Sequence, residues 1–189
     1  MPSTLTAPQP LVDAGWIQDH LDDAGVQIVE VDVAAAADQA GHISGAKLWN
    51  IYTDLRRPDY RPIERAELER LASSSGLSRQ TTVVFYGYGA YLGYWLLKSY
   101  GHDDVRQMDG PREQWLTTRH EWSRDEPSPA PSAYQLGACD PSLHVSREAV
   151  LPILGQAGPV LPDVRSRAEY AGERFWPSGA TLRGARGPA

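Results

Sequence analysis

The sequence predicts an α/β fold with a mainly parallel central sheet flanked by helices. Two runs, 27–33 and 81–86, saturate in Val, Ile and Phe, the pattern of strands buried on both faces of a parallel sheet. Helix-period stretches closed by glycine separate the apolar runs, at 64–75 before Gly76 and 92–100 before Gly101. Strands and helices therefore alternate along the chain, the order that places successive strands side by side in one sheet.

In chain order, residues 12–24 carry Trp16, Ile17 and Leu21 at helical spacing, with acids between them and Gly25 as the stop. The first buried strand follows at 27–33. The segment Gly41-His42-Ile43-Ser44-Gly45-Ala46 reads as a turn into a short strand at 47–51. After the helix at 64–75, the strand at 81–86 runs into Gly87-Tyr88-Gly89-Ala90-Tyr91, and the next helix begins at Leu92. A strand at 105–108 then meets Asp109-Gly110-Pro111, which turns the chain into a short helix carrying Trp115.

Residues 126–133, EPSPAPSA, cannot form regular structure and predict a stiff extended linker. The expected organisation is a first module at 11–125, a linker at 126–143 and an incomplete second module at 144–189. The second part repeats the first: an amphipathic helix at 145–154, then an apolar run after Gly158 ending in Asp163-Val164, where the first has Asp32-Val33. Pro162 removes a backbone donor inside that expected strand.

Composition narrows the function classes. The 189 residues are 41% hydrophobic and 22% charged, a globular balance, and the net charge is −6 from 18 basic and 24 acidic residues. No basic stripe exists to neutralise a phosphate backbone, so nucleic acid is not an expected partner. Residues 1–10 have neither a basic region nor an apolar run, and no stretch of about 18 apolar residues is present to span a membrane. With Cys139 as the single cysteine, neither an intrachain disulfide nor a cysteine-rich zinc cluster is expected. The histidines show no metal spacing, no cofactor is expected, and a reducing cytoplasm is the expected compartment.

The ordered motifs resemble those of the tandem rhodaneses, the thiosulfate and 3-mercaptopyruvate sulfurtransferases, over about residues 12–176. The segment 41–46 is similar to the family's GHIPGA element, with Ser44 in place of proline. Asp109-Gly110 with Trp115 is similar to its DGGxxxW element, with Pro111 in place of the second glycine. Asp163-Val164-Arg165-Ser166 with Glu169-Tyr170 is similar to the DVRxxxEY opening of a catalytic module. The resemblance implies persulfide chemistry at a cysteine placed at the C-terminal end of the central strand. There, backbone N–H groups and the following helix N-terminus favour the thiolate.

Gly87 aligns with that cysteine, and Asp32-Val33 is followed by Ala34 where the catalytic pattern has arginine. The first module therefore resembles the non-catalytic half of a tandem rhodanese. Gly87, Tyr88, Gly89, Ala90 and Tyr91 are expected to form a vestigial active-site loop. Asp163 and Arg165 retain the second-module motif, but the segment that would carry the cysteine lies beyond residue 189, so truncation is expected. An unfinished second sheet predicts homodimerisation, disorder after about residue 172 or poor solubility.

The implied function is sulfur transfer from a small sulfur-containing anion, inactive in this chain for want of the cysteine. The alternative is a non-catalytic module that binds an anion or a protein through the 87–91 loop and its tyrosines. Gly87-Tyr88-Gly89 with Gly93 also imitates a dinucleotide fingerprint, but Tyr88 and Tyr91 would crowd a pyrophosphate. Cys139 is expected to be an inert thiol, His42 a loop brace, and residues 102–104 a solvated turn.

Overall fold

Strands that are apolar on both faces need helices on both, and the computed structural model has this arrangement. It describes residues 9–173 other than 119, 121 and 159. Strands β1 (Leu11–Val12), β2 (Val26–Asp32), β3 (Lys47–Asn50), β4 (Thr82–Tyr86) and β5 (Val105–Met108) form one all-parallel sheet, ordered β1-β5-β4-β2-β3. Helices α1 (Ala14–Asp19), α2 (Ala36–Ala40), α3 (Arg65–Ser74) and α4 (Ala90–Ser99) connect them, and a 3₁₀ helix spans Arg112–Thr118.

The two central strands show why the sheet is covered twice. Side chains alternate across a strand. Val29, Val31, Val83 and Phe85 pack into a core with Trp49, Leu68 and Leu97, while Ile28, Val84 and Tyr86 join Ile17, Ile43 and Trp115 in another. Gly93 lets α4 approach β4, since a Cβ there would stand 2.5 Å from the Phe85 ring. Helix α3 starts from a reciprocal capping box between Glu64 and Glu67 and buries Leu68 and Ala72.

Three elements differ from expectation. The opening segment is a two-residue strand and then a helix, because Leu11 and Val12 pair with Gln107 and Met108 of β5. Asp13 then accepts from the Trp16 N–H at 2.7 Å and caps α1. Helix α2 was not anticipated, its sequence AADQA having no apolar stripe. His102, expected in a solvated turn, is 1% exposed, with Nε2 2.7 Å from the Thr81 carbonyl. His42 is buried with ring nitrogens 3.1 Å from the Asp38 carbonyl and 2.9 Å from the Asp125 carbonyl, bracing its loop.

The described residues fall into two units, divided between His144 and Val145. The stretch expected to be a linker, 126–143, is irregular up to a 3₁₀ turn at Pro141–Leu143, as its prolines dictate, yet it lies on the first unit as a strap. Ser132, Tyr134 and Leu136 donate backbone N–H groups to Ser73 O, Ser73 Oγ and Glu69 Oε1 at 2.9, 3.0 and 3.0 Å. The Tyr134 and Leu136 side chains complete the core that contains Leu68 and Leu97. Burial of those two side chains is what keeps the strap from spanning free.

In the second unit the expected helix at 145–154 is divided into α5 (Arg147–Val150) and a 3₁₀ turn (Leu151–Ile153), since Pro152 cannot donate to an α-helical ladder. The apolar run after Gly158 is not a strand. It has no ladder partner among the described residues, Pro162 interrupts it, and Val160 and Val164 are 86% and 97% exposed. Helix α6 (Arg167–Tyr170) is capped by Ser166 and Glu169. The expected disorder after residue 172 lies outside the described residues.

Truncating a buried leucine removes apolar contact and leaves a cavity. Leu136→Ala should therefore lower the stability of the first unit by about 2–4 kcal/mol in urea denaturation, whereas truncating a free linker would change nothing.

Candidate functional site

In a parallel α/β sheet, ligand chemistry belongs at the carboxyl ends of the strands. Here the 87–91 loop leaves the C-terminal end of central β4 and enters α4, with Gly89 as the helix N-cap. Gly87 has φ +93°, a conformation that L side chains rarely adopt. A Cβ at this position would stand 2.9 Å from the Val31 carbonyl oxygen and 3.3 Å from Glu30 Cγ. The Gly89 N–H donates to that same Val31 carbonyl at 2.8 Å, and the Ala90 N–H turns back to Gly87 O at 3.3 Å. The loop is thus folded down onto the end of β2, with part of its donor set used internally. Ala90 is buried, while Tyr88 and Tyr91 are 53% and 55% exposed.

Beneath Gly87 lies a charged cluster that the expected site did not include. Glu30 on β2 has no exposed surface, although its strand neighbours are apolar. Tyr86 donates its hydroxyl hydrogen to Glu30, and the Ile43 N–H donates to the Tyr86 oxygen at 3.0 Å. Arg112, at the start of the 3₁₀ helix, donates through Nε to Glu30 Oε1 at 2.7 Å and through its fork to the Gly41 carbonyl. Its guanidinium stacks 4.1 Å from the Trp122 ring centre. Burial pushes the Glu30 carboxyl above its usual range, against hydrogen bonds from Arg112 and Tyr86 that pull it down. Burial likewise raises the Tyr86 phenol, which stays a donor.

This cluster fastens the 41–46 turn and the 109–112 turn to the two central strands. Its sequence signal was Glu30 itself. An acid inside the run Ile28-Val29-Glu30-Val31 cannot be buried without a partner. Arg112 gave no local sign of being that partner, 82 residues away.

Of the remaining expected residues, Asp163 and Arg165 lie in the second unit, joined to each other by a fork at 2.9 and 2.6 Å. That ion pair draws the Asp163 carboxyl down to about 2. Cys139 is exposed. Among the described residues no group of three His, Cys, Asp or Glu side chains could hold a metal ion, and no helix is long and apolar enough to cross a membrane.

An all-parallel five-stranded sheet with a glycine loop between its central strand and α4 defines a rhodanese-fold module. Residues 13–118 match the family described as Rhodanese-like domain, and the chain belongs to that family. It is 36% identical over 182 residues to a protein of Saccharopolyspora erythraea provisionally named a thiosulfate sulfurtransferase, covering 92% of this chain and 63% of that protein. It is 35% identical over 174 residues to the sulfur carrier protein TtuD of Thermus thermophilus, covering 88% of this chain and 61% of the relative. The chain therefore spans less than two thirds of the length of these relatives. Among solved structures, SseA from Escherichia coli, a 3-mercaptopyruvate sulfotransferase, shares the fold with a TM-score of 0.75 at 19% identity, over 87% of this chain and 69% of its own.

Removing one partner of a buried ion pair strands the other. Arg112→Met should destabilise the first unit by about 3–5 kcal/mol at pH 7. The loss should shrink as pH falls, because the folded-state pKa of Glu30 is raised and a protonated Glu30 needs no counter-charge. Urea denaturation of both proteins between pH 7 and pH 5 measures the convergence.

Proposed function

We propose that this chain serves persulfide sulfur transfer, from a donor such as thiosulfate or 3-mercaptopyruvate to a thiophilic acceptor. In this reading, its first module is a non-catalytic half that supplies scaffold and no nucleophile. The observation that carries the proposal is Gly87. It stands where a parallel sheet presents its reactive group, and its +93° φ and the Val31 carbonyl leave no room for a side chain. A thiolate at this point would need a different loop. The names of the relatives, a thiosulfate sulfurtransferase and a sulfur carrier protein, support the chemistry assigned to the whole protein.

A second reading takes the module as a binding element. The exposed rings of Tyr88 and Tyr91 favour a protein contact over an anion, since the loop spends its Gly89 N–H on Val31.

A thiosulfate-to-cyanide assay tests the proposal on this chain. Thiocyanate should stay at background for the chain and for Cys139→Ala. Gly87→Cys should gain no turnover, and should lose at least about 1 kcal/mol of stability through its positive φ. Turnover that Cys139→Ala abolishes, or turnover gained by Gly87→Cys, would overturn the reading.

A further inference from the structure

The strap carries a buried titratable pair that sulfur transfer does not use. Besides the bonds of Ser132, Tyr134 and Leu136, the Gly137 N–H donates to Tyr100 O at 3.0 Å and the Asp140 N–H to Ser99 O at 2.7 Å. All five attachments are to α3, α4 or the residue that ends α4. The strap's most buried aromatic, Tyr134, is 4% exposed and ends on His102, with its oxygen 2.6 Å from Nδ1.

The partners fix the proton positions. Thr81 O can only accept, so His102 Nε2, 2.7 Å away, bears the hydrogen and Nδ1 presents a lone pair to the Tyr134 hydroxyl. The single proton of Tyr134 therefore has Nδ1 as its acceptor. A second proton on His102 would turn Nδ1 into a donor and leave the phenol hydrogen without that acceptor in a dry site.

The surrounding charges do little to compensate. Arg79, from the loop before β4, and Lys98, from α4, both oppose an imidazolium. Asp103 favours it, but its side chain is 84% exposed, and Glu69 on α3 acts on the phenol. Burial accordingly lowers the His102 pKa below 6.5 and pushes Tyr134 up to about 12.

We propose that the His102–Tyr134 contact is a pH-gated latch, which holds the strap on α3 and α4 while His102 is neutral and releases it, with the sheet intact, when His102 is protonated. The sign follows from linkage. A histidine whose folded pKa is lowered contributes fully above its unfolded value, and the contribution is lost as pH falls below about 6.5.

Hydrogen exchange at strap amides, corrected for the intrinsic pH dependence of exchange, tests this at pH 7.5 and 5.5. Protection of the 132–140 amides should fall about tenfold relative to β2 and β4 in the unaltered chain. In His102→Gln, whose amide can still donate to Thr81 O but does not titrate, it should not change with pH. Tyr134→Phe, which lacks the hydroxyl, should show acid-like strap protection already at pH 7.5. The proposal is overturned by a parallel loss in strap and strands, by a pH response that survives in a folded His102→Gln, or by unaltered protection at pH 7.5 in Tyr134→Phe.

Discussion

A carboxylate with no water around it must be met by protein donors, and Glu30 imposes that requirement at the centre of the sheet. The strand pairing sets Glu30 beside Tyr86, and the donors that answer it are the Tyr86 hydroxyl and Arg112. Arg112 reaches Glu30 and the Gly41 carbonyl together, and the Ile43 N–H reaches the Tyr86 oxygen. Two turns distant in sequence are thereby fixed over the carboxyl ends of β2 and β4. The wall beneath the 87–91 loop owes its rigidity to this cluster. Apolar side chains of similar volume would pack there as well, but they would not fix where the turns sit.

That rigid wall explains the loop above it. Position 87 has the Val31 carbonyl and Glu30 Cγ directly below, so the chain can pass only with glycine in a left-handed conformation. At this end of the sheet the Gly87 backbone lies close against the Val31 carbonyl.

The central strands were legible because local composition decides them. A run such as TVVFY has no stable place except a covered sheet. The glycine loop was legible for the same reason, being short and contiguous. What escaped depends on distant partners. Strand β1 is two residues long and exists only through β5, and AADQA becomes a helix without any apolar stripe. The polar triplet at 102–104 looks solvated until Thr81 and Tyr134 are seen to close over the histidine. Proline in 126–133 announces an extended chain but carries no information on whether Tyr134 and Leu136 find a surface.

The strap has a consequence for the order in which the protein is made. Its backbone N–H bonds join residues 37 to 67 positions apart, among the last contacts of the first unit to become available as a chain emerges from the ribosome. The sheet can assemble once β5 is out, yet the seam over α3 and α4 stays open until residues 134–137 follow. During that interval Leu68, Ala72 and Leu97 share an incompletely roofed core. The segment that folds as a unit is thus longer than the segment, 13–118, by which its ancestry is recognised.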